Sequence, residues 1–202
     1  MHEYTTFASN LKSDSEVVPM EKVFDISIGK TPPRKEYEWF SISDNDIKWL
    51  SISDLGNSFY YVRNTSEYLT QDAICRFNVK VVPKGTVVLS FKLTVGKIGI
   101  LFEAMATNEA IAHFVTDNSD LTEYLYCYLR NYNFDSLGNT SSIATAVNSK
   151  TIKAMPFTLP TKSELAVFKN NVKLYFDEIK SLQTQSEKLK TLKVAYLKKF
   201  FG

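Results

Sequence analysis

Three polar or basic segments carry side chains that could bind a polyanion. The stretch 29–35 contains Gly-Lys-Thr-Pro-Pro-Arg-Lys and is predicted to be a loop, because its prolines remove backbone donors and restrict their neighbours. The stretch 92–97 lies between two β-branched runs and is predicted to be a turn, and 136–142 is a polar loop. Lysine, arginine, hydroxyl and amide groups on such loops contact DNA phosphates and base edges, whereas the alternative for each cation is an ordinary solvated surface residue. The candidates are Arg34, Lys35, Lys92, Thr94, Lys97, Asn139, Thr140 and Ser141.

The sequence gives little support for nucleotide binding, metal binding or catalysis. The run Gly96-Lys97-Ile98-Gly99 lacks the spacing of a phosphate-binding loop and precedes a predicted strand, so a nucleotide-using enzyme is a weak alternative. Cys75 and Cys127 have no metal-ligand spacing, and His113 lies between apolar residues, as expected for a histidine in the core. No catalytic carboxylate pair, nucleophile elbow or metal cluster is evident, so we expect a non-catalytic protein without a cofactor or metal of its own.

Net charge and hydropathy limit the partners and the cellular location that the sequence predicts. The chain has 24 Lys and Arg against 22 Asp and Glu, a net charge of +2, so any nucleic-acid contact should use local basic loops. Residues 164–201 hold eight lysines against four acidic residues, a net of +4, which leaves −2 for the remainder. No signal peptide or membrane-length apolar run is evident, and a cytoplasmic protein with no membrane contact is expected.

The stretch 164–201 shows an apolar heptad repeat without Gly or Pro. This pattern predicts a coiled-coil helix, and at 1.5 Å per residue its 38 residues would extend about 57 Å. Thr161 and Glu164 have the spacing of a capping box at its start. The helix could pack on its own domain, but we expect its stripe to be too long for that and to pair with a helix of another chain. The predicted seam comprises Leu165, Phe168, Val172, Tyr175, Ile179, Leu182, Ser186, Leu189, Lys193, Tyr196 and Phe200.

The rest of the chain predicts a mixed α/β domain. Strands are expected at 47–52, 86–91, 98–102 and 107–115, a turn at 53–57, a helix at 121–131 and an extended segment at 152–159. Residues 1–18 are predicted to be a polar leader. The expected fold is a globular domain at 1–160 followed by one long helix at 161–202.

Five short motifs in this order resemble the target recognition domain of the Type I restriction-modification specificity subunits, and the basic, Leu-rich helix after Pro160 resembles their spacer helix. Together the motifs cover nearly the whole chain beyond about residue 18. They are Gly29–Pro32 with Trp39, Trp49 with Asp54 and Leu55, Val82–Val87, Ser90–Lys97, and Asn108–Ile111.

The resemblance implies a half-length specificity subunit, because the family pairs two recognition domains with two antiparallel spacer helices. Two copies would then form an antiparallel homodimer and read an interrupted palindrome in double-stranded DNA. A helix of about 57 Å limits the spacing of the half-sites to about 17 bp. The implied partners are modification (methyltransferase) and restriction subunits, with S-adenosylmethionine, ATP and Mg used by those subunits. The alternative is a structural or adaptor coiled-coil dimer without sequence-specific DNA binding.

Overall fold

The protein is described by a computed structural model that covers residues 16–137 and 147–201. It is a mixed α/β globular domain followed by a long C-terminal helix, as the sequence predicts. Within the described residues, the strands are β1 (Val17–Pro19), β2 (Asp25–Ile28), β3 (Phe40–Ser41), β4 (Ile47–Leu50), β5 (Tyr61–Val62), β6 (Glu67–Leu69), β7 (Val87–Ser90), β8 (Ile98–Leu101), β9 (Ala106–Thr107), β10 (Ile111–Val115) and β11 (Pro156–Thr158). In the same ranges, the helices are α1 (Ile52–Asn57), α2 (Gln71–Arg76), α3 (Leu121–Arg130), α4 (Ser149–Lys153) and α5 (Lys162–Phe201).

The central sheet has the strand order β2-β10-β7-β8-β5 over the described part of the chain. The β2–β10, β10–β7 and β7–β8 pairs are antiparallel, and β5 runs parallel to β8. Its register pairs Ala112 with Ile28, Ile111 with Ser90 and Leu89 with Ile98. The C-termini of β2 and β7 and the N-termini of β8 and β10 therefore lie at one end of the sheet, which we call the loop end.

A second sheet with the order β3-β6-β4-β9 packs beside the first and buries Trp49 completely. Here the sequence prediction was wrong at 53–57, where a helix, α1, replaces the expected turn. The reason is a capping box: the Asp54 N–H donates to Ser51 Oγ at 3.0 Å, and the Ser51 N–H donates to Asp54 Oδ2 at 3.3 Å.

The chain segments before and after the body pair with each other. β1 lies antiparallel to β11, with Val17 opposite Thr158 and Val18 opposite Phe157. The predicted leader therefore ends in a strand, while residues 1–15 lie outside the described part. The expected extended segment 152–159 begins instead as α4, because Asn148 Oδ1 accepts from the backbone N–H groups of Lys150 and Thr151 at 2.9 and 3.1 Å.

The long helix α5 starts at the predicted capping box. The Thr161 N–H donates to Glu164 Oε2 at 2.8 Å, and the Glu164 N–H donates to Thr161 Oγ1 at 3.2 Å. Its N-terminal half packs on the globular domain, where Phe168 and Phe176 are buried. Phe168 meets the ring of Tyr124 edge-on at 5.3 Å between centroids, and Phe176 meets Tyr60 at 5.6 Å. From residue 188 to residue 201, every side chain of α5 is exposed.

The predicted seam is therefore divided between two environments. Four of its members contact the chain's own domain, because the apolar stripe of the first four helical turns faces α3 and the aromatic residues beside β5. These members are Leu165, Phe168, Val172 and Ile179. The other seven, Tyr175, Leu182, Ser186, Leu189, Lys193, Tyr196 and Phe200, are exposed to solvent. Across residues 16–137 and 147–201, no helix is both long enough and apolar enough to cross a bilayer.

Candidate nucleic-acid interface

The loop end brings together two of the three segments predicted to bind a polyanion. The loop 29–35 follows β2, and the turn 92–97 joins β7 to β8. Between them lies the turn that precedes β10, where the Phe91 N–H donates to Ala110 O and the Lys30 N–H donates to Thr107 O, both at 2.9 Å. The third segment, with Asn139, Thr140 and Ser141, lies outside the described residues.

The loop 29–35 is held rigidly against the second sheet. A Cβ atom at Gly29 would lie 2.2 Å from Thr107 Oγ1 and 2.3 Å from Asn108 O, so only glycine fits this close approach. Trp49 Nε1 donates to Lys30 O at 3.2 Å. Thr31 Oγ1 donates to the Glu109 carboxylate and accepts from Asn108 Nδ2 at 3.3 Å. These contacts join the Gly-Lys-Thr-Pro motif to the Asn-Glu-Ala motif.

Arg34 and Lys35 are both exposed, but the Arg34 side chain is engaged with groups of the protein itself. The Arg34 guanidinium makes a two-pronged ion pair with Glu67 at 2.7 and 3.0 Å. Its carbon also lies 4.2 Å from the ring centroid of Phe40 and 4.5 Å from that of Trp49. Arg34 therefore joins the loop to the second sheet, and its predicted contact with DNA would have to compete with Glu67. Lys30, Arg34 and Lys35 are all exposed, and of these three Arg34 is the one paired with Glu67.

The β7–β8 hairpin separates its polar residues into two environments. Lys97 Nζ reaches Ile52 O in α1 at 3.4 Å. The Lys97 side chain also lies directly over Gly56, where an added Cβ would be 2.3 Å from Nζ. Lys92 and Thr94 are exposed at the tip. Lys92 and Thr94 are therefore better placed than Lys97 to contact a ligand, whereas Lys97 fixes the hairpin against α1.

His113 is a buried member of the sheet, as the sequence predicts. Its Nδ1 lies 3.1 Å from Ser27 Oγ and its Nε2 lies 2.6 Å from Thr107 Oγ1. Burial, with a smaller contribution from Lys80, lowers the pKa of His113 to about 4. The imidazole is therefore neutral at physiological pH and serves to connect β2, β9 and β10.

A contact that the sequence did not indicate joins the edge strand of the central sheet to α5. Arg63 Nη2, just after β5, donates to Thr184 Oγ1 at 2.6 Å and to Lys180 O at 3.1 Å. Its guanidinium carbon lies 3.3 Å from the ring centroid of Phe102, and Gln183 Nε2 donates to Tyr61 O at 3.3 Å. We call this set, with Arg63 at its centre, the Arg63 clasp. Arg63 belongs to no sequence motif, so no local signal could have identified it.

The clasp fixes the last docked turns of α5. A cleft of about 350 Å³ lies beside it, between α1 and the helix, and includes Arg63, Gln183 and Glu187 in its walls. Burial lowers the pKa of Arg63, whereas a hydrogen bond from Lys190 lowers the pKa of Glu187 and so favours its ionised carboxylate. The helix leaves the domain directly after this point.

An exposed apolar stripe runs along α5, from before the clasp to the C-terminal end of the helix. Tyr175, Leu182, Leu189 and Tyr196 recur every seven residues, and all four are more than half exposed. Leu192, Leu197 and Phe200 widen this stripe toward the C-terminus. Exposed apolar surface that follows a heptad spacing is typical of a helix–helix interface.

The charges along α5 are segregated. Within 164–201, the acidic residues Glu164, Asp177, Glu178 and Glu187 all precede residue 188. The following part, 188–201, contains five lysines and no acidic residue. Two such helices aligned in parallel would place the two lysine-rich parts side by side, whereas an antiparallel alignment would place each lysine-rich part beside the part that holds the acidic residues.

Comparison with known proteins gives related sequences over most of the chain. The family model for the Type I restriction modification DNA specificity domain matches residues 12–195. The MjaIX Type I restriction enzyme specificity subunit of Methanocaldococcus jannaschii is 22% identical over 200 residues, which are 97% of this chain and 46% of that protein. The HindI specificity subunit of Haemophilus influenzae is 22% identical over 178 residues, or 86% of this chain and 38% of that protein.

Solved structures share the fold over a similar span. The HsdS subunit from Thermoanaerobacter tengcongensis superposes with a TM-score of 0.60 at 18% identity, covering 96% of this chain and 48% of that one. The Type I restriction-modification S subunit from M. genitalium gives a TM-score of 0.58 at 13% identity, with 95% and 47% covered. This chain thus spans less than half the length of the relatives it matches. Because the family model matches most of its residues, the chain belongs to the Type I restriction modification DNA specificity domain family.

Proposed function

We propose that this chain is a non-catalytic, sequence-reading subunit of a Type I restriction-modification system. In this proposal the globular domain is one target recognition domain, and its loop end faces double-stranded DNA. The exposed stripe of α5 pairs antiparallel with the same stripe of a second copy. The two domains then read the two halves of an interrupted palindrome.

The loop end supports the DNA-reading part of the proposal. Lys30, Lys35, Lys92 and Thr94 are exposed at or near it, on loops that the sheet and Trp49 hold in place. Protein–DNA complexes combine phosphate contacts, which position the protein, with base contacts from a few well-placed side chains. The loop end offers both kinds of side chain on a rigid scaffold, although the chain as a whole is nearly neutral.

The observation that carries the pairing part is the uncovered stripe of α5. Its own domain covers the face that contains Phe168 and Phe176, while the heptad positions Leu182, Leu189 and Tyr196 remain in water. The confinement of the acidic residues to the part before 188, and the excess of lysines after it, favour the antiparallel alignment. In that alignment each lysine-rich end lies along the part of the partner helix that holds its acidic residues, and a recognition domain lies at each end of the pair.

In this arrangement the chain recognises DNA and other subunits carry out the reactions. Modification and restriction subunits would bind the assembled pair and supply the chemistry, with S-adenosylmethionine, ATP and Mg bound by those subunits. The helix has 40 residues, so its length of about 60 Å limits the separation of the half-sites to about 18 bp.

A selection from a randomised duplex pool, with and without the modification subunit, tests the proposed function. We expect enrichment of an inverted repeat with a fixed spacer. A dimer that enriches no sequence would instead be the structural or adaptor coiled coil, and the proposal would be wrong. Protection of the Leu93 to Thr94 region from hydrogen exchange on the selected duplex, without protection near Arg76, would identify the loop end as the contact surface.

A further inference from the structure

The β7–β8 hairpin ends in a strained turn that displays an apolar side chain. The Thr94 N–H donates to Lys92 O at 2.6 Å, and Leu93 between them has a φ of +61°. A three-residue turn with positive φ at its centre is rare and strained, and leucine is disfavoured in this region of backbone conformation. Leu93 is nevertheless 96% exposed, so burial of its side chain does not offset the strain.

The hairpin itself enforces this conformation. The buried Ser90 hydroxyl donates to Thr94 O and accepts from the Lys97 N–H at 3.1 Å. Gly96, with a φ of +92°, lies against the ring of Phe134 and donates to Ser90 O at 3.0 Å. Backbone strain persists where the surrounding structure over-determines it, and such sites are concentrated at functional positions. These hydrogen bonds therefore hold the tip of the hairpin in a conformation that exposes the Leu93 side chain.

The surroundings of Leu93 indicate which surface it fits. Lys92 and Thr94 flank it, and the loop end also carries Lys30 and Lys35. The Lys92 ammonium lies 5.5 Å from the ring centroid of Phe91, near the base of the tip. An apolar tip surrounded by cations matches a DNA groove, where phosphates line the rim and an apolar group can lie on the floor. The major groove, about 12 Å wide, admits a two-stranded ribbon, and its apolar groups are the C5 methyls of thymine.

We propose that Leu93 is a specificity-determining residue that contacts the C5 methyl group of one thymine in each half-site from the major groove. This inference rests on the proposed function and extends it by naming one side chain and the group that it reads. Lys92 and Thr94 contact the flanking phosphates, and Lys97 holds the hairpin against α1.

Replacing thymine by uracil tests the inference, since uracil differs only by the missing methyl group. The probe is the duplex selected by the complete modification complex, with each thymine changed in turn. For the wild-type complex we expect one thymine per half-site at which uracil weakens binding about four-fold, the equivalent of one buried methyl group. With Leu93→Asn, which tolerates positive φ but is polar, binding to the thymine duplex should weaken and the uracil effect should vanish.

Ile42→Asn is the matched control, because Ile42 is 90% exposed in the loop between β3 and β4 of the other sheet. It should keep the wild-type response to uracil. A Leu93→Asn complex that retains the same uracil penalty overturns the inference, and so does a selected target without thymine in its half-sites. Loss of modification-subunit binding with unchanged DNA binding would mean that Leu93 contacts protein, which also overturns it. In each of these cases sequence-specific binding by the wild type remains, so the proposed function stands; if the wild type selects no sequence, both fail.

Discussion

The Arg63 clasp predicts a local loss of stability when Arg63 is replaced by alanine. The substitution removes the hydrogen bonds to Thr184 Oγ1 at 2.6 Å and to Lys180 O at 3.1 Å. It also removes the guanidinium that lies 3.3 Å from the ring centroid of Phe102. The hydrogen bond from Gln183 to Tyr61 O remains, so α5 should loosen at the clasp without leaving the domain.

The expected magnitude follows from these contacts. Hydrogen bonds from a charged donor contribute about 1.5–3 kcal/mol, and a cation–π contact about 0.5–1 kcal/mol at an exposed site. Arg63 is partly exposed and the freed oxygens of α5 regain water, so the lower part of that range applies. We expect the free energy of unfolding to fall by about 2 kcal/mol. Arg63→Lys should recover less than half of this loss, because an ammonium cannot reproduce the planar geometry of the guanidinium.

Urea denaturation at fixed protein concentration measures the global effect, and hydrogen exchange measures its location. Amides of α5 between Lys180 and Glu187 should exchange faster in Arg63→Ala, while those between Phe168 and Phe176 keep their protection. Arg76→Ala is the matched control, because Arg76 stacks on Trp39 at 5.0 Å from Arg Cζ to the ring centroid. An equal loss in both variants, or unchanged exchange between Lys180 and Glu187, would refute the assigned role of Arg63.

Four further outcomes follow from the structure. Leu189→Asp should convert the proposed dimer to a monomer in sedimentation with little change in the stability of the domain, and a persisting dimer would contradict the pairing of the stripe. Gly29→Ala places a Cβ 2.2 Å from Thr107 Oγ1, so urea unfolding should show a loss of about 3 kcal/mol, and an unchanged midpoint would be inconsistent with this packing. The pKa of His113 is lowered from 6.5 to about 4, so its contribution to the free energy of unfolding is complete above pH 6.5 and is lost as the pH falls toward 4. This contribution is about 3 kcal/mol at most. His113→Gln should therefore flatten the pH dependence of the free energy of unfolding between pH 6.5 and 4. Four residues inserted in α5 after residue 188 should lengthen the helix by about 6 Å and shift the preferred spacer by one or two base pairs, whereas an unchanged spacer would exclude a ruler function.

Local patterns in the sequence predict the hairpin and the start of the long helix well. The β-branched run at Val87 and Val88 and the turn glycine Gly96 specify β7, the turn and β8 through backbone preferences alone. The capping box of Thr161 and Glu164 is equally local. At α1 the sequence predicts a turn instead of a helix because Gly56 and Asn57 are typical turn residues, whereas the helix depends on the cap supplied by Ser51 and Asp54.

Long-range contacts account for what the sequence could not predict. An apolar heptad stripe has the same sequence pattern whether it packs on the chain's own domain or on another helix. The sequence therefore does not distinguish buried positions such as Phe168 and Phe176 from the exposed positions of the same helix. As a cation on a loop, Arg34 is predicted from the sequence to contact DNA, but its pairing with Glu67 depends on the register of the second sheet. The gathering of the candidate loops at one end likewise depends on the strand order.

Cross-linking between the two ends of α5 tests the central claim, antiparallel pairing of two copies, most directly. Val167→Cys and Lys199→Cys lie 32 residues apart, or about 48 Å along one helix, so a reagent of about 10 Å cannot join them within a chain. The exposed Cys75 is replaced by serine, and the buried Cys127, whose thiol pKa is raised by burial to about 12, is retained. The account predicts a covalent dimer from the double-cysteine chain and none from Lys199→Cys alone. A dimer from Lys199→Cys alone would indicate parallel helices, and a 23.0 kDa species under all conditions would contradict pairing altogether.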